Sequence, residues 1–201
     1  MRLKIVQAGE LVLRQQARDL SREEILSAET QRLIGDMRDT MRDAPGVGLA
    51  APQVGVSLRL AVIEDRQEYH AKSTAAQLAE RERRPVPFHV LVNPKIIETS
   101  GTPVEFFEGC LSVTGFAAVV PRWPTITVEY LDERAEPQRV EATGWYARIL
   151  QHEIDHLGGT LYLDRMHART LTTLENLERY WKDVPAAELR KRLGVKAAPV
   201  R

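Results

Sequence analysis

The sequence contains almost no cysteine, no excess of charge of either sign and no long hydrophobic run. Its single cysteine, Cys110, excludes an intrachain disulfide and is compatible with a reducing compartment. Lysine plus arginine and aspartate plus glutamate each number 28, so charge gives no reason to expect nucleic acid or an anionic membrane as a partner. No apolar run approaches the length of a membrane span, and the N-terminal residues have the character of neither a signal peptide nor a transit peptide. We therefore expect a cytoplasmic protein.

The length of 201 residues suits one domain with a single core, and 43% hydrophobic and 28% charged residues are typical of a soluble globular chain. Predicted strands cluster before the later helices, without regular alternation, which indicates an α+β fold. We expect a catalytic domain over 1–182 and a basic tail over 183–201. The pattern predicts helices at 21–43, 144–157 and 170–182, strands at 58–64, 88–98, 103–107, 116–120, 124–131 and 138–143, an irregular segment at 46–55 and an exposed insertion at 65–85.

The most informative motif is residues 152–156 (HEIDH), which lie in the predicted helix 144–157. Side chains four positions apart share one face of a helix, so the imidazoles of His152 and His156 can bind the same metal ion. Glu153 projects about 100° around the helix, which suits a base beside the metal better than a ligand. The alternative is two core histidines with ordinary hydrogen bonds, but burying two imidazoles and a carboxylate together is costly without a metal.

A catalytic metal site needs a third ligand, and the sequence offers several candidates. The extended protease pattern would place a histidine at position 162, which is Tyr162. Glu175 or Glu178 has the spacing of a zinc peptidase ligand, although both lie off the apolar stripe of the predicted last helix. Cys110, otherwise a small core residue, is the better candidate, since a nearby metal would stabilise its thiolate. Two imidazoles and a thiolate leave one position for water, as catalytic sites do. A zinc peptidase and a non-enzymatic metal-binding module remain as alternatives.

Three separated segments together resemble the peptide deformylase family: residues 46–53 (GVGLAAPQ), 108–112 (EGCLS) and 151–156 (QHEIDH). Their order and approximate spacing also match, and the resemblance covers at least residues 5–165. Segments 115–122 and 144–149 are most similar to the branch that includes mitochondrial enzymes, which concerns ancestry and not location. The resemblance implies one domain of small, mostly antiparallel sheets packed around the helix with the HExxH motif, with N- and C-terminal helices.

The resemblance also implies an activity, which is removal of the N-formyl group from new proteins that begin with formylmethionine, with release of formate. The metal would be held by Cys110, His152 and His156, and Glu153 would transfer the proton. By the same resemblance, the side chain of Gln53 and the backbone N–H of Leu111 would donate hydrogen bonds to the developing oxyanion. The backbone of Gly46, Val47 and Gly48 would pair with the substrate, and the Val47 side chain would form part of the wall of the methionine pocket.

The family resemblance implies one divalent metal ion per chain, with ferrous iron expected and zinc, nickel or cobalt able to replace it. A thiolate with two imidazoles does not choose among these metals. The expected partners are formylmethionyl nascent peptides, without nucleic-acid specificity or membrane binding. Residues 190–192 (RKR) suggest docking near the ribosomal exit tunnel, and a solvated chain end is the alternative.

Several positions depart from the pattern of the common bacterial branch, and they concern substrate preference rather than chemistry. Ala117 stands where that branch has an arginine thought to touch the peptide. Trp145 and Arg148 replace aliphatic residues near the methionine pocket, so its width is in question. Arg122 is expected either to pair with Glu108 and hold the cysteine loop or to be solvated.

Overall fold

The computed structural model describes residues 1–195, and its strands form two sheets in which every pairing is antiparallel. The larger sheet has the order β1-β2-β3-β6-β7 and the smaller one β4-β5-β8. The predicted α+β class is therefore confirmed. The strands are β1 (Gly48–Ala50), β2 (Leu60–Asp65), β3 (Val86–Ser100), β4 (Val104–Cys110), β5 (Val113–Arg122), β6 (Thr125–Leu131), β7 (Pro137–Thr143) and β8 (Thr172–Thr173).

Helices lie at both ends of the chain and in the centre of the fold. Within residues 1–195, no helix is both long and apolar enough to span a bilayer. The α-helices are α1 (Arg22–Leu26), α2 (Ala28–Asp43), α3 (Ala75–Glu80), α4 (Gly144–Leu157), α5 (Tyr162–Arg165), α6 (Leu174–Asn176) and α7 (Ala186–Arg192). Short 3-10 helices occupy Leu11–Arg14, Ala51–Val54, Gln67–Lys72 and Ala168–Thr170, and a π-helical turn covers Leu177–Trp181.

The five-stranded sheet lies between α2 and α4, and its strand residues alternate between the two faces. On β2, Val62 joins the apolar cluster that contains Met37 of α2. The next residue, Ile63, joins the cluster that contains Leu150 of α4. Since β2 is buried on both faces, α4 is a central helix, and its bounds agree with the predicted 144–157.

The predicted helix 21–43 is divided in the structure at Ser27. Its start is as expected, because Ser21 and Glu24 form a reciprocal capping box. Ser27 then adopts an extended backbone, and its side chain accepts from the N–H of Thr30, so it ends α1 and begins α2. The second part of the predicted helix, α2, buries Ile34, Met37 and Met41.

The predicted helix 170–182 is wrong for its first part, and the irregular segment 46–55 contains the regular strand β1. Residues of β8 pair with Phe116 and Ala117 of β5, which requires an extended backbone. Two apolar residues of the predicted helix, Leu171 and Leu174, are consequently exposed, at 44% and 50%. Further along, Leu189 of α7 is fully buried, while residues 196–201 of the predicted tail lie outside the described residues.

Candidate metal centre and active site

Three potential metal ligands converge where α4 meets the end of β4. His152 and His156 lie one turn apart on α4, and the β4–β5 register shifts between Gly109 and Cys110 at the strand end. The ligand atoms of Cys110, His152 and His156 all lie within 4.8 Å of one another. The Sγ of Cys110 is 3.3 Å from Nε2 of His156. The sequence-predicted donors therefore meet in one place.

The hydrogen bond that orients His152 fits a metal ion bound to this group. The Nδ1–H of His152 donates to Oε2 of Glu108 at 3.0 Å, which fixes the ring and leaves its other nitrogen for a ligand. Imidazole and thiolate are donors that suit iron, zinc and related divalent ions. Glu175 and Glu178, the alternative third ligands, are both exposed, and neither belongs to the Cys/His/His group.

Glu108 is buried and surrounded by cationic side chains. Arg122 donates to both of its carboxylate oxygens at 2.9 Å, and Nη1 of Arg148 donates at 2.6 Å. Burial alone would raise the pKa of Glu108, but the charges and hydrogen bonds of Arg122 and His152 hold that pKa well below its usual range. Glu108 is therefore a fixed anion that orients the candidate metal ligand His152.

The contact between Arg122 and Glu108 is the one that the sequence suggested, and Arg122 also reaches Asp155 of the HExxH segment. The contact of Arg148 with Glu108 was missed, because Arg148 was assigned only to the pocket wall. A signal was available, since Arg148 lies four residues before His152 and therefore on the same face of the helix. Arg148 further donates to the backbone carbonyls of Val104 and Val120.

Glu153 has the opposite surroundings. It is 4% exposed, and its Oε2 atom has no hydrogen-bond partner among the described residues. Burial raises the pKa of Glu153 to about 7, although the nearby charge of His152 opposes that rise. Gly48 lies against this carboxylate so closely that a Cβ there would stand 2.2 Å from Oε1. A carboxylate beside the potential metal ligands is thus held in place by packing, while its Oε2 atom makes no described hydrogen bond.

Gln53 places an amide donor at the same point. Its side-chain oxygen accepts from the N–H of Ala50 at 2.9 Å, which orients the amide. Its Nε2 then lies 3.4 Å from Sγ of Cys110 and 3.3 Å from Oγ of Ser112. Leu111 sits between these two residues in the chain, so its backbone is held in the loop that carries the thiol.

A cavity of about 310 Å³ opens onto Cys110, His152, Glu153 and Gln53. Residues 46–48 form one side, and Trp145 and Arg148 line it from α4. A larger open depression, of about 580 Å³, lies elsewhere beside Arg59 and contains none of these residues. The cavity therefore brings the candidate substrate-binding backbone to the candidate catalytic groups.

Some lining residues differ from the sequence expectation. Leu174 and Phe116 line the cavity although neither was singled out. Nothing in the sequence indicated that Leu174 lines the cavity, because its spacing placed it on the apolar stripe of the predicted helix 170–182. Ala117 is only 2% exposed and is not among the lining residues, so this side of the cavity has no arginine in the position expected from the common bacterial branch.

A partly buried thiol with two imidazoles, a carboxylate oxygen without a described hydrogen-bond partner and an oriented amide, all around one cavity, define the class of metal-dependent hydrolases. A family model described as "Polypeptide deformylase" matches residues 2–171. The chain belongs to the polypeptide deformylase family and is a hydrolase that removes the N-formyl group from new peptides.

Relatives from organelles and bacteria support this membership. The chain is 47% identical over 191 residues to "Peptide deformylase 1A, chloroplastic" of Solanum lycopersicum, which covers 95% of this chain and 67% of that protein. It is 38% identical over 180 residues to the mitochondrial peptide deformylase of Homo sapiens, covering 90% and 72%. A Met-Ala-Ser-bound class I type b peptide deformylase from Acinetobacter baumannii superposes with a TM-score of 0.74 at 33% identity, covering 83% of this chain and 99% of that one.

Proposed function

We propose that Cys110, His152 and His156 hold one divalent metal ion with which this chain hydrolyses the formyl amide of N-terminal formylmethionine. The observation that carries the proposal is the unpartnered carboxylate of Glu153, buried beside these three donors at the end of one cavity. Ordinary core carboxylates are hydrogen-bonded or ion-paired, so an isolated one in a cavity indicates chemistry.

Glu153 is the proton carrier of the reaction. A bound divalent ion supplies Lewis acidity, which lowers the pKa of water and polarises a carbonyl. The Glu153 carboxylate accepts a proton from the water that attacks the formyl carbon. It then donates that proton to the departing α-amino nitrogen, and the carbon–nitrogen bond breaks to give formate and a free amine. Burial, which raises the pKa of Glu153 to about 7, suits a group that must both accept and donate near neutral pH.

Gln53 and Leu111 stabilise the negative charge that develops on the formyl oxygen. The support for Gln53 is its Nε2, which is oriented by the Ala50 contact and points toward the thiol of Cys110. The backbone N–H of Leu111 lies in the same loop, one residue after Cys110. Fixed donors aimed at an oxyanion need no reorganisation during the reaction, which is why they contribute strongly to rate.

Residues 46–48 bind the substrate backbone. Gly48 begins β1, and β1 is at the edge of the five-stranded sheet, so one side of it can accept an added strand. Gly46 packs closely on Leu111, since a Cβ at position 46 would lie 2.8 Å from its Cδ1 atom. Val47 lines the cavity and would form part of the wall around the methionine side chain.

Ferrous iron is the proposed native metal, with zinc, nickel or cobalt as replacements. The donor set supports a divalent transition metal and does not distinguish among these four. Metal analysis of protein purified without oxygen, paired with formate release from formyl-Met-Ala-Ser, identifies the metal that supports turnover. If zinc is the metal that is bound and that supports turnover, the proposal of ferrous iron is wrong.

The proposed ligand set is tested by substitution of the thiol. Cys110→Ser should lose tight metal binding and formate release, because a hydroxyl is a poor substitute for a thiolate. His89→Gln is the control, since His89 contacts Pro87 and Tyr146 and lies outside the site. Retention of both metal and activity by the Cys110 variant, as in a peptidase using Glu175, would refute the assignment.

Location and the chain end remain proposals from the sequence. We propose a cytoplasmic enzyme with a catalytic domain over 1–182 and a tail over 183–201 that docks near the ribosomal exit tunnel. The basic residues 190–192 support docking, although Arg190 lies against Glu105 and Arg192 against Glu188. Unchanged co-sedimentation with ribosomes after deletion of 186–201 would remove the docking proposal.

A further inference from the structure

The insertion between β2 and β3 is anchored to the core of the protein. Asp65, at the end of β2, is fully buried and accepts two hydrogen bonds from Arg83, each of 2.8 Å. His70 also lies within 3.2 Å of this carboxylate. A two-fold hydrogen-bonded ion pair with a fully buried carboxylate holds the returning end of the insertion at a fixed position, so this end of the insertion is anchored and is not a free loop.

The same returning end of the insertion, at residues 81–82, lies against the first turn of α4. Gly144, the first residue of α4, has a φ of +56°, which favours glycine. A Cβ at Gly144 would stand 2.4 Å from the Cβ of Glu82 and 2.8 Å from the carbonyl oxygen of Arg81. The helix that carries the metal ligands therefore begins with a glycine because the insertion approaches it so closely.

Arg81 extends from this end of the insertion over two aromatic rings. Its guanidinium carbon lies 5.1 Å from the ring centre of Trp145 and 5.7 Å from that of Phe106. Its Nε is buried without a hydrogen-bond partner, and no ion pair of Arg81 occurs among the described residues. Arg83 and Arg148 also lie over Trp145, at 5.5 and 5.8 Å, but each is committed to a carboxylate. Of these three arginines, Arg81 is thus the one whose contacts among the described residues are with the rings of Trp145 and Phe106 and not with a carboxylate.

Trp145 connects this stack to the substrate, because it also lines the cavity that contains Glu153. We propose that Arg81 is a positioning residue that fixes the Trp145 ring and thereby sets the width of the pocket for the first side chain of the substrate. The inference rests on the proposed function, in which that side chain is methionine. It gives the insertion a role in specificity although no residue of the insertion lines the cavity.

The inference is tested with Arg81→Ala, Arg81→Lys and, as a matched control, Arg84→Ala, which removes an exposed arginine from the same segment. The substrates are formyl-Met-Ala-Ser and formyl-Phe-Ala-Ser, whose first side chains differ in width. For Arg81→Ala we expect KM for the methionine peptide to rise by roughly 2- to 30-fold, the range of a partly desolvated cation–π contact, with kcat within about two-fold. Its preference for methionine over phenylalanine should fall by a similar factor.

The results of these assays distinguish a failure of the Arg81 inference from a failure of the proposed function. Arg81→Lys keeps a cation over the ring and should recover most of the preference, which a loss of folding would not explain. An unchanged preference in Arg81→Ala, equal to that of Arg84→Ala, overturns the inference while leaving the proposed function intact. Activity of Arg81→Ala that is reduced equally for both peptides also overturns it. Absence of formate release by the unmodified enzyme would instead be a failure of the proposed function.

Discussion

Two buried carboxylates, Glu108 beside α4 and Glu153 on α4, have contrasting environments on the two sides of that helix. On one side Glu108 contacts Arg122, Arg148 and His152, and its pKa is held low. On the other side Glu153 has an oxygen with no hydrogen-bond partner within residues 1–195, and burial raises its pKa to about 7. Both groups are at most 6% exposed, so burial alone does not explain the difference.

The difference shows how one fold keeps two similar acids for separate tasks. A carboxylate that is surrounded by cations stays ionised and holds its neighbours in place. A carboxylate that is buried without a partner exchanges a proton more readily near neutral pH, which suits general acid–base chemistry. Substitutions on each side should therefore have effects of different kinds as well as different sizes.

The largest effect is expected from Glu153→Gln. An amide of the same shape cannot carry the proton, so turnover should fall by about 10²–10⁴-fold, the usual contribution of a general base. The metal content should be unchanged, because Glu153 is not among the proposed ligands. Metal analysis and formate release on one preparation check both statements. Loss of metal in this variant would show that Glu153, like Glu108, supports metal binding, and would contradict the separate roles of the two carboxylates.

A smaller effect is expected from Gly48→Ala, which places a methyl group where the Glu153 carboxylate lies. The added Cβ would stand 2.2 Å from Oε1, so the carboxylate must move, and a displacement of about 1 Å can cost about 10²-fold in rate. Gly35→Ala is the matched control, since a Cβ there meets nothing within 4 Å. Equal kcat values for the two variants would show that the position of Glu153 is not critical.

The smallest effect on turnover at saturating metal is expected from Glu108→Gln. Loss of the anion that orients the His152 ring should weaken metal binding by about 10- to 100-fold. It also leaves Arg122 and Arg148 without their buried counter-ion, so the free energy of unfolding should fall by about 3–5 kcal/mol. Glu64→Gln is the control, because its pair with Arg42 reaches the surface. Metal titration and urea unfolding measure the two quantities, and equal stability of both variants would contradict the prediction.

The sequence predicted those parts of the site that depend on residue identity and local periodicity. The apolar repeat located α4, and the residue types in three motifs indicated the donors that the structure brings together. The role of Arg148 beside Glu108 and the contact of Arg81 with Trp145 were not predicted, because they depend on which distant elements meet. The same reason explains the last predicted helix, where pairing of β8 with β5 overrides a helical pattern.

The long separations within the site also have a consequence for synthesis of the protein. Gln53 and Cys110 are 57 residues apart, and Cys110 and His156 are 46 apart. Contacts of such sequence separation form late in folding, since each closes a long loop. A chain whose synthesis stops before His156 has the thiol and the amide but lacks the third proposed metal ligand. Interrupted translation should therefore yield fragments without partial activity, and the enzyme becomes active only when most of its chain has been made.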